Sequence, residues 1–340
     1  MSAVWNGEAR SRLVIDPRAV GSFNRRLWLR RASRWTALAV LGTVGSSKTS
    51  AAGEPPGDDP ARLEAARARA IQVGMDATRF RDNRSVHFQA TGTAPPALIG
   101  AALTASERLL RDLRGHLKVR GIELVDSPRR MTLVALANRG EFAQFLGEDL
   151  GAEVGGVYDL DANWLLMFDN RGDDSRGVAP AERVNTLVLM HETIHLITFN
   201  LGPLNREGDV PLCVAEGLAM YGETRSTARG AAIGKVNTPR LQGLLLARRA
   251  GIDWFSLPNL LTHDDLLNQP DTQQAAYAQS WLLVYHLLNE RRWRPKFAAY
   301  LATIHPRRDP SHRLDDAQAT LGDLAALDRE LRALATRLVG

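Results

Sequence analysis

The chain has 340 residues, long enough to bury a large core as two domains, or as one large domain with extensions. The net charge is +5, but residues 1–52 hold nine basic and two acidic side chains, so the remainder carries a net charge of −2. The folded body therefore lacks the basic excess that would point to DNA or RNA, and no nucleic-acid partner is expected. Cys213 is the only cysteine, which excludes an intrachain disulfide and reads as a buried structural thiol.

The first elements read as a targeting segment. Arg25, Arg26 and Arg30 form a charged region, and Trp35 to Ser47 is an uncharged, mostly apolar run of thirteen residues, short for a bilayer span. Ser50, Ala51 and Ala52 offer small residues for cleavage. Paired arginines ahead of an apolar run resemble a twin-arginine export signal, with Trp28 where Phe is usual. The expected location is periplasmic or secreted; the alternative is an uncleaved N-terminal membrane anchor. No cysteine lies near residue 52, which argues against a lipoprotein. Residues 53–60 form a Pro/Gly/acidic linker, and a folded unit is expected to start after it.

The spacing predicts a helix from Ala61 to about Phe80 and a strand over Ser85–Gly92. A helix follows over Pro95–Leu117, with Leu98, Ala101, Ala102, Leu109, Leu110 and Leu113 inward. Arg130–Ala137 reads as a strand and Arg139–Leu150 as a helix with Phe142, Phe145 and Leu146 inward. Gly155 to Tyr158 precedes a strand over Asn163–Phe168. After a Gly/Asp/Arg loop over 171–178, Pro180 suits the first turn of the next helix, which Gly202 and Pro203 terminate after Asn200. Pro211 opens another helix. The final third reads as helices over Thr238–Ala250, Asp264–Asn268, Thr272–Asn289, Trp293–Ile304 and Asp315–Leu338. The expected organisation is an export segment and linker over 1–60, an α+β subdomain over 61–200, and a helical subdomain over 201–340.

The chemistry concentrates at His191, Glu192 and His195, an H-E-x-x-H motif. Two histidines four apart stack on one helical face and can bind one Zn²⁺, and Glu192 beside them can act as base on water activated by the metal. Leu187, Val188, Leu189, Met190, Ile194, Leu196 and Ile197 flank the pair, so the helix is expected to be buried nearly all round, where His and Glu need partners. A catalytic zinc takes three protein ligands and keeps one position open, and Glu216, twenty-one residues past His195, is the candidate third ligand. His87, His116, His263, His305 and His312 lack ligand spacing and read as surface or structural. Arg291, Arg292 and Arg294 read as a solvated face.

H-E-x-x-H with a downstream glutamate on a second helix resembles the gluzincin metallopeptidases. Pro211 through Tyr221 (PLCVAEGLAMY) is similar to the P-x-W-x-x-E-G-x-A-x-Y segment of the peptidase-MA-like families, relatives of aminopeptidase N, with Cys213 in place of Trp. Ala276 through His286 (AYAQSWLLVYH) looks like their tyrosine-bearing helix, and Gly155–Tyr158 with Asn163–Phe168 like their substrate-facing edge strand. The likeness covers roughly residues 85–305 and is nearest a bacterial branch known as a domain of unknown function. It implies a zincin-like α+β fold, with a small mixed sheet packed on the H-E-x-x-H helix and a mostly helical C-terminal subdomain. It also implies a zinc peptidase acting on peptide or protein, with His191, His195 and Glu216 as ligands, Glu192 as general base and Tyr277 as oxyanion donor. Tyr221 and His286 are weaker site candidates. The G-x-M-E-N signature of aminopeptidases is absent, and position 220 is Met where thermolysin-like enzymes carry an acidic residue, so a carboxylate behind the histidines must come from elsewhere. Two alternatives stand beside this expectation. One is a silent binding protein pinned by the metal; the other is a zinc hydrolase of a non-peptide amide in the cell envelope.

Overall fold

The computed structural model describes residues 55–148, 154–170, 186–224 and 233–339. The proposed export segment and Pro180 lie outside them. Helix α1 spans Pro60–Gln72. Strands β1 (Arg81–Arg84) and β2 (Phe88–Gly92) form an antiparallel hairpin. Helix α2 (Pro96–Lys118) leads to β3 (Met131–Leu136), which pairs parallel to β2. Helix α3 (Arg139–Leu146) is followed by β4 (Gly156–Asp159) and β5 (Trp164–Phe168). The five-stranded sheet runs β1-β2-β3-β5-β4. β5 is parallel to β3 and antiparallel to β4.

Both faces of β3 and β5 are covered, which is why they read as near-continuous apolar runs rather than alternating ones. Leu133, Ala135, Leu165 and Met167 face one core together with residues of α2 and of helix α4 (Thr186–Asn200). Val134, Leu136, Leu166 and Phe168 face a second, smaller core with Ala66 and Ala70 of α1 and with Phe142 and Phe145 of α3. The sheet is therefore the middle layer between two pairs of helices, and α4 lies directly on β3, β4 and β5.

Beyond α4 the described residues are mainly helical. The elements are α5 (Leu212–Gly222), α6 (Thr238–Arg249), α7 (Leu257–Thr262), α8 (Gln273–Asn289), α9 (Arg294–Ile304), α10 (Arg313–Leu321) and α11 (Leu324–Val339). Every residue of α5 is buried, because α4 packs on one side of it and α8 on the other. Gly217 permits the second contact: a Cβ there would stand 2.5 Å from the Ser280 carbonyl oxygen and 2.5 Å from Val284 Cγ2. The start of α5 is pinned from far along the chain. Leu212 N–H donates to Asp264 at 2.8 Å, and buried Arg313 forks onto Asp209 at 2.6 Å and reaches Asp264 at 2.8 Å. The main apolar cluster runs from Phe88 to Leu334, joining residues on both sides of position 200. Among the described residues, no helix is long and apolar enough to cross a membrane.

Several sequence expectations need correction. The helix expected to reach Phe80 stops at Gln72; a short 3-10 turn over Ala77–Arg79 and the charged, wholly exposed strand β1 follow. That strand has no apolar residue to announce it and forms only because β2 supplies a pairing edge. The helix from Arg139 ends at Leu146, where Gly147 adopts φ 84° as a left-handed cap. The single helix expected over Asp315–Leu338 is two, broken at Gly322 (φ 86°, ψ −140°). Leu257–Thr262 is a short helix that the periodicity does not show. Within α4, Leu189 to Thr198 are all buried, but Leu187 is exposed. The Asn163–Phe168 strand is not the edge: β5 is paired on both sides, and the edge beside α4 is β4.

Candidate metal centre

The turn spacing of α4 puts His191 and His195 on one face, and α5 brings Glu216 against them. His191 Nε2 lies 3.2 Å from Glu216 Oε2 and 3.2 Å from His195 Nε2. His195 Nε2 lies 3.5 Å from Glu216 Oε1. All three side chains are buried. Among the described residues this is the group of His, Cys, Asp or Glu atoms that converges closely enough to hold a metal ion.

The donor chemistry fits a cation. Nδ1 of His191 lies 2.7 Å from Glu223 Oε1, so the ring proton sits on Nδ1 and the Nε2 lone pair points at Glu216. That lone pair, the Nε2 of His195 and a carboxylate oxygen thus converge, and a positive ion at their meeting point relieves the repulsion. Donors bound at about 2.0–2.1 Å around a tetrahedral zinc stand roughly 3.3 Å apart, the scale of the separations found.

Glu223 is the carboxylate behind His191, which Met220 could not supply. It lies seven residues past Glu216, two turns along the same helical face. Asn237 Nδ2 donates to its Oε2 at 2.8 Å, and Arg240 donates through Nη2 to Oε1 at 2.7 Å and through Nε to Oε2 at 3.1 Å. Burial alone would raise the Glu223 carboxyl, but Arg240 and His191 hold it at about 2. Asn237 also caps α6, accepting the Arg240 N–H on Oδ1. The spacing of Glu223 was a usable sequence signal; nothing local announced Asn237 or Arg240, which lie across a chain segment from it.

Glu192 is 1% exposed, and its Oε2 accepts the Tyr158 N–H of β4 at 2.9 Å. That amide is turned toward α4 rather than across to β5. The Tyr158 ring stacks on His195 at 6.3 Å and 14° and on Phe199 at 5.9 Å. Its hydroxyl donates to Asn163 Oδ1 at 2.7 Å, and Asn163 pairs with Asn200 at the end of α4. Asn163 holds a left-handed φ of 56°, which its short polar side chain tolerates. Tyr158 therefore touches both the histidine and the glutamate of the motif, a link that no local sequence pattern indicates.

Residues 184–310 match the model of a family described as "Protein of unknown function (DUF1570)". The matched stretch holds all of α4, α5 and α8, so it contains His191, His195, Glu216, Glu223, Arg240 and Tyr277. That description names no activity. No curated protein matches the chain.

The other expected site residues fall in different surroundings. Tyr277 lies on α8, with its ring centroid 6.0 Å from the Arg240 guanidinium carbon, and so borders the Glu223 network. The Tyr221 hydroxyl donates to Asn289 Oδ1 at 3.1 Å and lies 2.7 Å from His116 Nε2. His286 lies 3.1 Å from Glu330, which also takes Arg292. Cys213 is buried, as expected of a structural thiol.

Proposed function

We propose that this protein is a zinc-dependent metallopeptidase of the gluzincin type, with a zincin-like fold. The observation that carries the reading is a carboxylate, Glu192, held by a main-chain N–H beside a convergent His191–His195–Glu216 donor set. A purely structural zinc site needs no such neighbour. Zinc, when bound, supplies a Lewis acid that polarises a carbonyl and acidifies water. Glu192 takes the proton from the attacking water and passes it to the departing amine nitrogen. The Tyr277 hydroxyl donates to the developing oxyanion. The outermost strand β4, next to Glu192, aligns an extended peptide by strand addition. Export through the N-terminal segment places the substrate outside the cytoplasm.

The second reading is a metal that only pins α4 to α5. The depth of the site favours it, since His191, Glu192, His195 and Glu216 are each 5% exposed or less. Glu192→Gln separates the two. The peptidase reading expects wild-type protein with one zinc per chain by metal analysis and cleavage of a peptide-profiling library. The variant should keep the zinc and lose about 10²–10⁴-fold in rate. A zinc-loaded variant that still hydrolyses at the wild-type rate, or a wild-type protein without zinc, sinks the proposal.

A further inference from the structure

Glu223 is bonded through both oxygens to groups that reach it from beyond α5. Oε1 is shared between His191 Nδ1 at 2.7 Å and Arg240 Nη2 at 2.7 Å. Oε2 takes Arg240 Nε at 3.1 Å and Asn237 Nδ2 at 2.8 Å. The guanidinium thus meets the carboxylate side-on with two parallel bonds, and such a fork fixes the plane of the carboxylate as well as its position. Oε1 cannot swing away from His191 without breaking the fork. The guanidinium carbon also lies 6.0 Å from the centroid of the Tyr277 ring.

The orientation of a ligating imidazole is set by what its second nitrogen binds. Here that partner is a buried anion, and a buried anion keeps its place only while its own charge and lone pairs are met. We propose that Arg240 is a positioning residue for the metal centre, holding Glu223 against His191 Nδ1 so that the His191 Nε2 lone pair stays aimed between His195 and Glu216. The proposal rests on the metal-binding half of the proposed function and not on peptide hydrolysis. It also makes the site depend on α6 as well as on α4 and α5, because Arg240 and Asn237 both lie at the start of that helix.

The test uses zinc itself as the probe, titrated into the full zinc-free chain against a chromophoric chelator, with the visible spectrum of the cobalt-substituted protein as a second readout. Arg240→Met keeps most of the side-chain volume and removes the fork. It is expected to weaken zinc binding about 10–100-fold, the range typical of a lost partner behind a metal ligand, and to alter the cobalt bands. Glu223→Gln should fall in the same range. The double variant should be no weaker than the worse single one, since both changes break one chain of contacts. Arg240→Lys keeps the charge but cannot grip both oxygens, so it should recover only part of the loss. If Arg240→Met fails to fold, the double variant, which strands no buried charge, carries the comparison with Glu223→Gln.

A folded Arg240→Met protein with wild-type zinc affinity and cobalt spectrum overturns the proposal. Full recovery by lysine does the same, because charge alone would then suffice. Losses that multiply in the double variant would also refute it, by showing that Arg240 acts elsewhere than through Glu223. Wild-type protein that binds zinc but cleaves no peptide refutes the peptidase reading and leaves this one standing. Wild-type protein that binds no zinc removes both.

Discussion

Gly217→Ala tests whether the close contact of α5 on α8 sets the metal site. The added methyl would sit 2.5 Å from the Ser280 carbonyl oxygen, 2.5 Å from Val284 Cγ2 and 3.2 Å from the Ser280 carbonyl carbon. Carbon atoms prefer separations of about 3.5–4.0 Å, so the deficit is about 1 Å. Val284 can turn its side chain, but Ser280 O is main chain in the middle of α8 and cannot. The two helices must therefore part. Replacing glycine in a helix interior stabilises by about 1 kcal/mol, whereas overpacking a filled core typically costs about 1–3 kcal/mol. A backbone obstacle places this case at the upper end, for a net loss of about 1–2 kcal/mol. The displacement also shifts Glu216, the preceding residue, relative to His191 and His195, and metal ligation tolerates only about 0.2 Å. Zinc affinity should fall at least about tenfold, equivalent to about 1.4 kcal/mol. Urea unfolding of the zinc-free protein measures the first effect and chelator competition the second. A variant that matches wild type in both would refute the packing argument. Adding Val284→Ala should restore only part of the loss, because the Ser280 oxygen stays in place.

Two further predictions concern stability alone. Burial raises the Asp159 carboxyl from 3.8 to about 6, although its oxygen accepts the N–H groups of Asp161 and Ala162. The native state then binds more protons than the unfolded one between those values, so this group makes stability fall as pH rises through 4–6. Asp159→Asn keeps an acceptor oxygen and removes the charge. It should be more stable than wild type at pH 8 by at most about 3 kcal/mol, with the difference vanishing below pH 4. Denaturant midpoints across that range check it, and a variant less stable at pH 8 contradicts the assignment. Arg313 is 4% exposed in its side chain and pairs with Asp209 and Asp264. Arg313→Met removes the cation that both carboxylates share and should cost about 3–5 kcal/mol by urea titration; a loss below about 1 kcal/mol would show that the pair is solvated.

What the sequence determined by itself was local. The i, i+4 spacing of His191 and His195 places both rings on one helical face wherever α4 lies, because 3.6 residues per turn leave no other arrangement. Pro211 opening α5, the run of apolar residues in β3 and β5, and Gly202 closing α4 are properties of a few neighbouring side chains and were legible for that reason. The mixed sheet followed by helices was legible in outline too. The tertiary structure decided what depends on residues far apart in the chain. It made β4 the edge and β5 an inner strand, which no periodicity encodes, since every residue of both is buried. It formed β1 from the polar and charged residues Arg81–Arg84, through backbone pairing with β2 rather than through burial. It drew Glu223, Asn237 and Arg240 onto His191 and set the Tyr158 amide on Glu192. The H-E-x-x-H motif names two imidazoles and a carboxylate. Their orientation comes from hydrogen bonds spanning 14 to 34 residues, and only the packed chain brings those partners within reach.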